Sequence, residues 1–312
     1  MSQALKDSID DYNTITILSH IHPDADAIGT SLGIYALLKA YGKRVEIVNY
    51  SEQLPQYLDF LPNYSKIKNK MSYEDSLIIA CDCGSIDRLG FDLSGRDIVN
   101  IDHHQTNQYY GRLNYVDATL VASSHMAYNL LRDYFKISVE AASCFYVALL
   151  SDTQYFKTSN VKSNVFEFAM ELIELGANHQ EVTQHMTLRN SLASMRLLGK
   201  ALSSLRLHQE ARVSSMVVDK EMIESTGATL QDIHGIVDYG RSLVTVEIAV
   251  VLIEYQNEIK VSLRSKSKDI SILAETFGGG GHQLAAGFAI KSTNLEELLD
   301  RILEKLALHW QK

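Results

Sequence analysis

The chain has 312 residues, 46% hydrophobic and 21% charged, the make-up of a soluble globular protein of about two domains. Its 29 basic residues stand against 38 acidic ones, a net charge of −9 and a poor match for a long nucleic-acid backbone. No apolar run reaches the roughly 18 residues that cross a bilayer, the first residues lack the build of a signal peptide, and three cysteines cannot form a paired framework. A cytoplasmic protein without a membrane partner is expected, with Cys81, Cys83 and Cys144 reduced and mostly buried.

Thr14 to Ser19 reads as a buried strand, and His20 to Asp26 (HIHPDAD) as a loop broken by Pro23. Ala27 to Ala40 carries Ile28, Leu32, Tyr35 and Leu38 at helical spacing, with Gly42 as a stop. Arg44 to Val48, Ser76 to Cys81 and Asp97 to Ile101 read as further strands. Strands alternating with helices predict an α/β fold with a mostly parallel sheet, whose sites gather at the carboxyl ends of its strands. Helices follow at 123–135, 141–150 and 164–175, the second leading into Ser151-Asp152-Thr153. The stretch 191–207 reads as a helical connector between a domain at 1–190 and a smaller one at 208–312. In the latter, strands are expected at 213–218, 245–254 and 258–264, and a helix at 269–277.

The chemistry concentrates after strand ends. Asp102, His103 and His104 close the run Ile-Val-Asn-Ile, and such a triplet alone is equally a polar loop. His20, Asp24 and Asp26 fall within seven residues of one loop, and Asp82 ends its own strand. Singly these have plain readings: Asp24 as a helix cap, Asp152 as a turn residue. Together His20, Asp24, Asp26, Asp82, His103 and Asp152, all expected in loops at element ends, suit two divalent cations about 3.5–4 Å apart that clamp a phosphate. Asp82 would bridge them. Mixed imidazole and carboxylate ligation favours Mn²⁺, with Mg²⁺ as the alternative.

In the second part, Ile259, Val261 and Leu263 alternate with Lys260, Ser262 and Arg264, so Arg264 ends the polar face of a strand. Gly278 to Gly281 then precede His282. A glycine run is by itself more often a flexible loop, but Arg264, Lys266 and His282 nearby suggest a phosphate cradle. Tyr155, Phe156 and Tyr239 are weighed as base-stacking residues, and core packing is preferred for them.

The pattern HxxPDxD, an Asp after an apolar strand, Asp-His-His and then Ser-Asp-Thr resembles the DHH phosphoesterase family. Arg264 followed by Gly-Gly-Gly-Gly-His resembles its DHHA1 companion domain, and the whole order is similar to the NrnA-type branch. The resemblance implies a DHH catalytic domain and a DHHA1 substrate-binding domain. It implies one ion on His20, Asp24 and Asp82, and a second on Asp26, Asp82, His103 and Asp152. His104 would act near the phosphate and Asp102 would orient its neighbours. Arg264, Gly279, Gly280, Gly281 and His282 would bind substrate.

Two positions depart from the pattern. His22 stands where Asn or Arg is common, and Gln154 where a Gly commonly follows Ser-Asp-Thr. The implied activity is hydrolysis of very short oligoribonucleotides to mononucleotides, and of 3′-phosphoadenosine 5′-phosphate (pAp) to AMP, by a hydroxide activated on two Mn²⁺ ions. The partners are short RNA and small nucleotides, and a homodimer is left open. Competing readings are a linear or cyclic dinucleotide phosphodiesterase, a single-strand DNA exonuclease, an inorganic pyrophosphatase and a non-catalytic nucleotide sensor.

Overall fold

The computed structural model describes residues 2–233, 235–291 and 294–310. The chain divides between Arg189 and Asn190 into two compact units. In the first, β1 (Thr14–Ser19), β2 (Arg44–Val48), β3 (Ile67–Lys68), β4 (Leu77–Cys81), β5 (Ile98–Asp102) and β6 (Leu113–Val116) form one parallel sheet in the order β3-β2-β1-β4-β5-β6. Its helices are α1 (Ser2–Asp11), α2 (Ala25–Ala40), α3 (Ser123–Leu131), α4 (Val139–Asp152), α5 (Ser163–Glu174) and α6 (His179–Thr187).

Because side chains alternate along a strand, each face of this sheet has its own apolar set. Ile15, Ile17, Ile47, Leu77, Ile79, Val99 and Ile101 pack with the helices. Leu18, Val48, Ile78, Ala80 and Ile98 pack with Cys83, Leu89 and Leu93 from the segment after β4. Chain order reverses between β1 and β4, and such a switch point opens a crevice at the carboxyl ends of the strands. The segments after β1, β4 and β5 begin there.

Helices α2 and α4 touch with almost no side chain between them. A Cβ on Gly29 would meet Ala148 Cβ at 2.9 Å, beside the Cys144 carbonyl oxygen, and one on Gly33 the Phe145 ring, earlier in α4, at 2.3 Å. Contacts that climb α2 while descending α4 make the pair antiparallel, which brings the first turn of α2 to the last turn of α4. Asp26 and Asp152 therefore share one end of the packed pair. Gly33→Ala gains about 1 kcal/mol of helix propensity, but overpacking a core costs about 1–3 kcal/mol. A net destabilisation is expected, read as a lower urea midpoint at unchanged slope. An unchanged or raised midpoint would mean that the contact is looser than described.

The second unit has a mixed sheet, ordered β11-β12-β10-β9-β8-β7, built from β7 (Arg206–His208), β8 (Val213–Val218), β9 (Ile248–Tyr255), β10 (Glu258–Ser265), β11 (Gly280–His282) and β12 (Ala285–Ile290). Only the β8–β9 pair is parallel among these described strands. One face packs on α10 (Ser271–Glu275) and α11 (Leu295–Trp310) through Leu273, Leu298 and Ile302. The other packs on α7 (Leu192–Ser203) and α9 (Ile236–Arg241) through Leu197, Ala201, Ile236 and Val237; α8 (Lys220–Thr226) lies between β8 and α9 in sequence. The fold is α/β throughout: a mostly parallel sheet with flanking helices, then a smaller α/β unit.

Several boundaries differ from expectation. The helix expected over 191–207 ends at Ser203, and Leu207 lies in β7. Leu197 and Ala201 of that helix are buried in the second unit's core. The helix expected to begin at Ala27 begins at Ala25, because Asp24 caps it by accepting from Ala27 N. Helix α10 is only five residues long, stopped before Gly278, whose φ of +79° no helix continues.

Candidate metal and phosphate site

Strand β1 delivers His20 and then the cap of α2. Asp24 uses one carboxylate oxygen for the cap, at 3.0 Å from Ala27 N, and its other lies 3.9 Å from His20 Nε2. Asp82 follows β4 with φ +54°, a left-handed conformation rare outside glycine and of a kind that collects at functional sites. One of its oxygens lies 3.6 Å from His20 Nε2 and the other 3.6 Å from His103 Nε2. His103 Nε2 also lies 3.8 Å from Asp26 and 3.2 Å from Asp152. Two donor groups result, His20-Asp24-Asp82 and Asp26-His103-Asp152, each with ligand atoms within 4.8 Å of one another. A third, Asp82-His103-His104, overlaps them.

Two of the six expected ligands are not in loops. Asp26 lies in the first turn of α2 and Asp152 is the last residue of α4. Sequence spacing did not show this because it gives no helix packing.

The rings are oriented from behind. His103 Nδ1 lies 3.3 Å from Leu120 O and His20 Nδ1 3.0 Å from Ile21 O, so both present Nε2 to the carboxylates. His104 is held by the same nitrogen, with Nδ1 at 2.6 Å from Asp102 Oδ1. Asp102, fully buried, also accepts from His103 N at 2.8 Å and from Asn107 Nδ2 at 2.5 Å.

The electrostatics are those of an acidic pit. Burial, then the charges of Asp82 and Asp152, pushes the Asp26 carboxyl up. Burial also raises Asp152, to about 6, with Asp24 adding to it against the hydrogen bond from His103. Burial acts the same way on Asp82, but the His20 hydrogen bond and the imidazoles of His104 and His103 hold it low. Burial alone would lower His20 and His103; their carboxylate partners, Asp82 and Asp152 first, raise both instead. Protons on imidazole thus stand where the donor set wants cations. The residues fit divalent metal, since both Nε2 atoms and the carboxylate oxygens converge on shared space.

In the second unit, the Arg264 guanidinium donates to Leu263 O, and its Nε lies 4.0 Å from Asp238 without a hydrogen-bond partner. Burial weakens its hold on the proton, Asp238 offsets part of that, and Arg241 adds like charge. It lines a cavity of about 240 Å³ with Lys260, Ser262, Ile233, Val251 and Ile253. The glycine run is only partly a loop. Gly280 to His282 are strand β11, paired with β12, and a Cβ on Gly279 or Gly281 would strike the backbone of Gly287 or Ala285. Close packing thus accounts for those two glycines. Lys266 is tied to the carbonyls of Leu243 and Val244, and the side chain of His282 lies outside the described part.

Residues 14–149 match the DHH family, N-terminal domain, and residues 212–308 the DHHA1 domain. The chain is 32% identical to a Thermus thermophilus protein named bifunctional oligoribonuclease and PAP phosphatase NrnA, over 93% of this chain and 88% of that one. It belongs to the DHH/DHHA1 phosphoesterase family, NrnA-type. A Bacillus subtilis protein of the same name is 29% identical over 95% of this chain and 94% of its own. An exopolyphosphatase-related protein from Bacteroides fragilis superposes with a TM-score of 0.93 at 25% identity, covering 100% of this chain and 97% of that one.

As a DHH phosphoesterase the chain is a hydrolase, and its two departures from the family pattern have structural expression. His22 is exposed, with φ +56° and its N–H on Ser51 Oγ, and it is in none of the three donor groups. Gln154, Tyr155 and Phe156 all have positive φ, +47°, +59° and +63°, a conformation the usual glycine would ease at the first of them. Tyr155 and Phe156 pack partly against the core, Phe156 stacking on Phe166 at 5.1 Å, while Tyr239 is half exposed.

Sequence reasoning missed the residues that hold the candidate carboxylates. The first turn of α3 gives Asp26 two main-chain donors, Ser123 N at 2.6 Å and Ser124 N at 3.2 Å, and Thr30 Oγ1 adds a third at 2.8 Å. Ser123 Oγ donates to Asp82 at 2.9 Å. The expected helix start at Ser123 was the available signal, but it did not say which carboxylate the helix faces.

Proposed function

We propose that this phosphoesterase hydrolyses very short oligoribonucleotides to mononucleotides and pAp to AMP, using two Mn²⁺ ions. The observation that carries the reading is Asp82, a buried carboxylate with one oxygen 3.6 Å from His20 Nε2 and the other 3.6 Å from His103 Nε2, a member of two of the three overlapping donor groups. His20, Asp24 and Asp82 would hold one ion; Asp26, Asp82, His103 and Asp152 the other. When bound, such ions supply Lewis acidity at phosphate oxygens and an activated water. Imidazole in both sets favours Mn²⁺ over Mg²⁺.

The chain's own residues then divide the work. Asp102 fixes Nδ1 of His104 as the donating nitrogen, so Nε2 is the atom that moves a proton at the phosphate or leaving oxygen. Asn107 and the His103 N–H keep that carboxylate ionised and still. Arg264, whose Nε lacks a partner, grips a terminal phosphate with the glycine segment Gly279–Gly281 and His282.

The names of the Thermus and Bacillus relatives support the substrate class. Among the described residues no helix is long and apolar enough to cross a membrane, and the three cysteines are free and buried. The latter supports a cytoplasmic location. The test is a product-resolved assay on pAp, an RNA dinucleotide, a cyclic dinucleotide and pyrophosphate. AMP from pAp and mononucleotides from the dinucleotide are expected to form fastest. Faster turnover of the cyclic dinucleotide or of pyrophosphate would contradict the proposal.

A further inference from the structure

Arg88 lies beside the proposed centre and has no part in the reading above. It sits in the turn Ile86–Leu89, and its main-chain oxygen accepts from Ile21 N at 2.7 Å, fastening that turn to the loop of His20 and Asp24. Its side chain is exposed and, among the described residues, pairs with no carboxylate. Instead Nη2 lies 3.2 Å from His20 Nδ1.

That contact conflicts with cation binding. His20 Nδ1 also lies 3.0 Å from Ile21 O. Toward the carbonyl the nitrogen must donate; toward Arg88 it must accept, because guanidinium carries only N–H donors. A cation on Nε2, where Asp24 and Asp82 converge at 3.9 and 3.6 Å, takes that lone pair and leaves the hydrogen on Nδ1, which then bonds Ile21 O. Arg88 now faces a donor and loses its acceptor.

We infer that Arg88 is a further substrate-binding residue, whose guanidinium turns from His20 to a phosphate oxygen of the bound nucleotide once the centre is loaded. The inference rests on the two-ion reading. The ions occupy the carboxylates that would otherwise attract the arginine, and phosphate is the anion that the substrate brings. A planar fork matches phosphate in two-bond geometry.

The test is calorimetry on the full chain. Apo protein is titrated with Mn²⁺, and Mn²⁺-loaded protein with AMP, the proposed product of pAp. Arg88→Ala should bind AMP about ten- to a hundredfold more weakly, the loss of one charge-assisted phosphate contact, with Mn²⁺ affinity unchanged or raised. Arg88→Lys should recover part of the loss. Unchanged AMP binding in Arg88→Ala would overturn the inference. So would a parallel fall in Mn²⁺ affinity, which would make Arg88 only a positioning residue for His20. Failure of the two-ion reading would show already in the wild type, as no Mn²⁺-dependent AMP binding; failure of this inference alone shows only in the variants.

Discussion

Asp82→Asn is expected to lower turnover by about 10³-fold or more, the largest loss from any single proposed ligand. Charge stabilisation by a metal ion is worth several kcal/mol, and each 1.36 kcal/mol is tenfold in rate. Asp24 is proposed for one ion only, whereas Asp82 is proposed for both, with His20 Nε2 on one side and His103 Nε2 on the other, each at 3.6 Å. The fold should survive. Asp26 and Asp152 are already pushed up by burial and neighbouring carboxylates, so one charge fewer eases the apo pit. Bound Mn²⁺, initial rate and circular dichroism measured on the same sample decide the matter. Near-normal rate or full metal content in the variant would remove Asp82 from the centre of the account.

Selectivity for short RNA is the second large effect expected. The proposed centre is a few side chains across, and the chain as a whole carries 38 acidic residues against 29 basic ones. A longer RNA adds phosphates that meet net repulsion rather than a basic track. RNA of two to about five nucleotides should be cleaved at least tenfold faster than RNA of about twenty, and salt should affect the short ones weakly. Initial rates on a length series at two salt concentrations test this. A faster rate on the long RNA, or a steep salt slope, would reveal a basic surface that the charge balance hides.

What was legible in the sequence follows from what pattern can carry. Strands buried on both faces, such as Leu77–Cys81 and Ile98–Asp102, read as apolar runs, and each ends at the carboxylate that matters. The six proposed ligands were findable because they follow such runs or sit at a helix end. Strand β12 was not, because Ala285-Ala286-Gly287 has no alternation to read. Helix α11 was passed over although Leu298, Leu299, Ile302 and Leu306 repeat at helical spacing. Long-range support was invisible for a different reason: Ser123 reaches Asp26 and Asp82 only because α3 packs beside α2 and β5, and no local signal encodes that approach. The glycine run was expected as a loop and is in part strand β11, since composition cannot distinguish a closely packed strand from a loop.

The most direct measurement is metal reconstitution with product analysis. The chain is stripped with chelator, and pAp and an RNA dinucleotide are supplied while Mn²⁺ is titrated back. The account predicts no turnover in the stripped protein, and AMP and mononucleotides appearing as Mn²⁺ binds, saturating at about two ions per chain. Full turnover in metal-free protein, or a loaded protein that leaves both substrates intact, would contradict it.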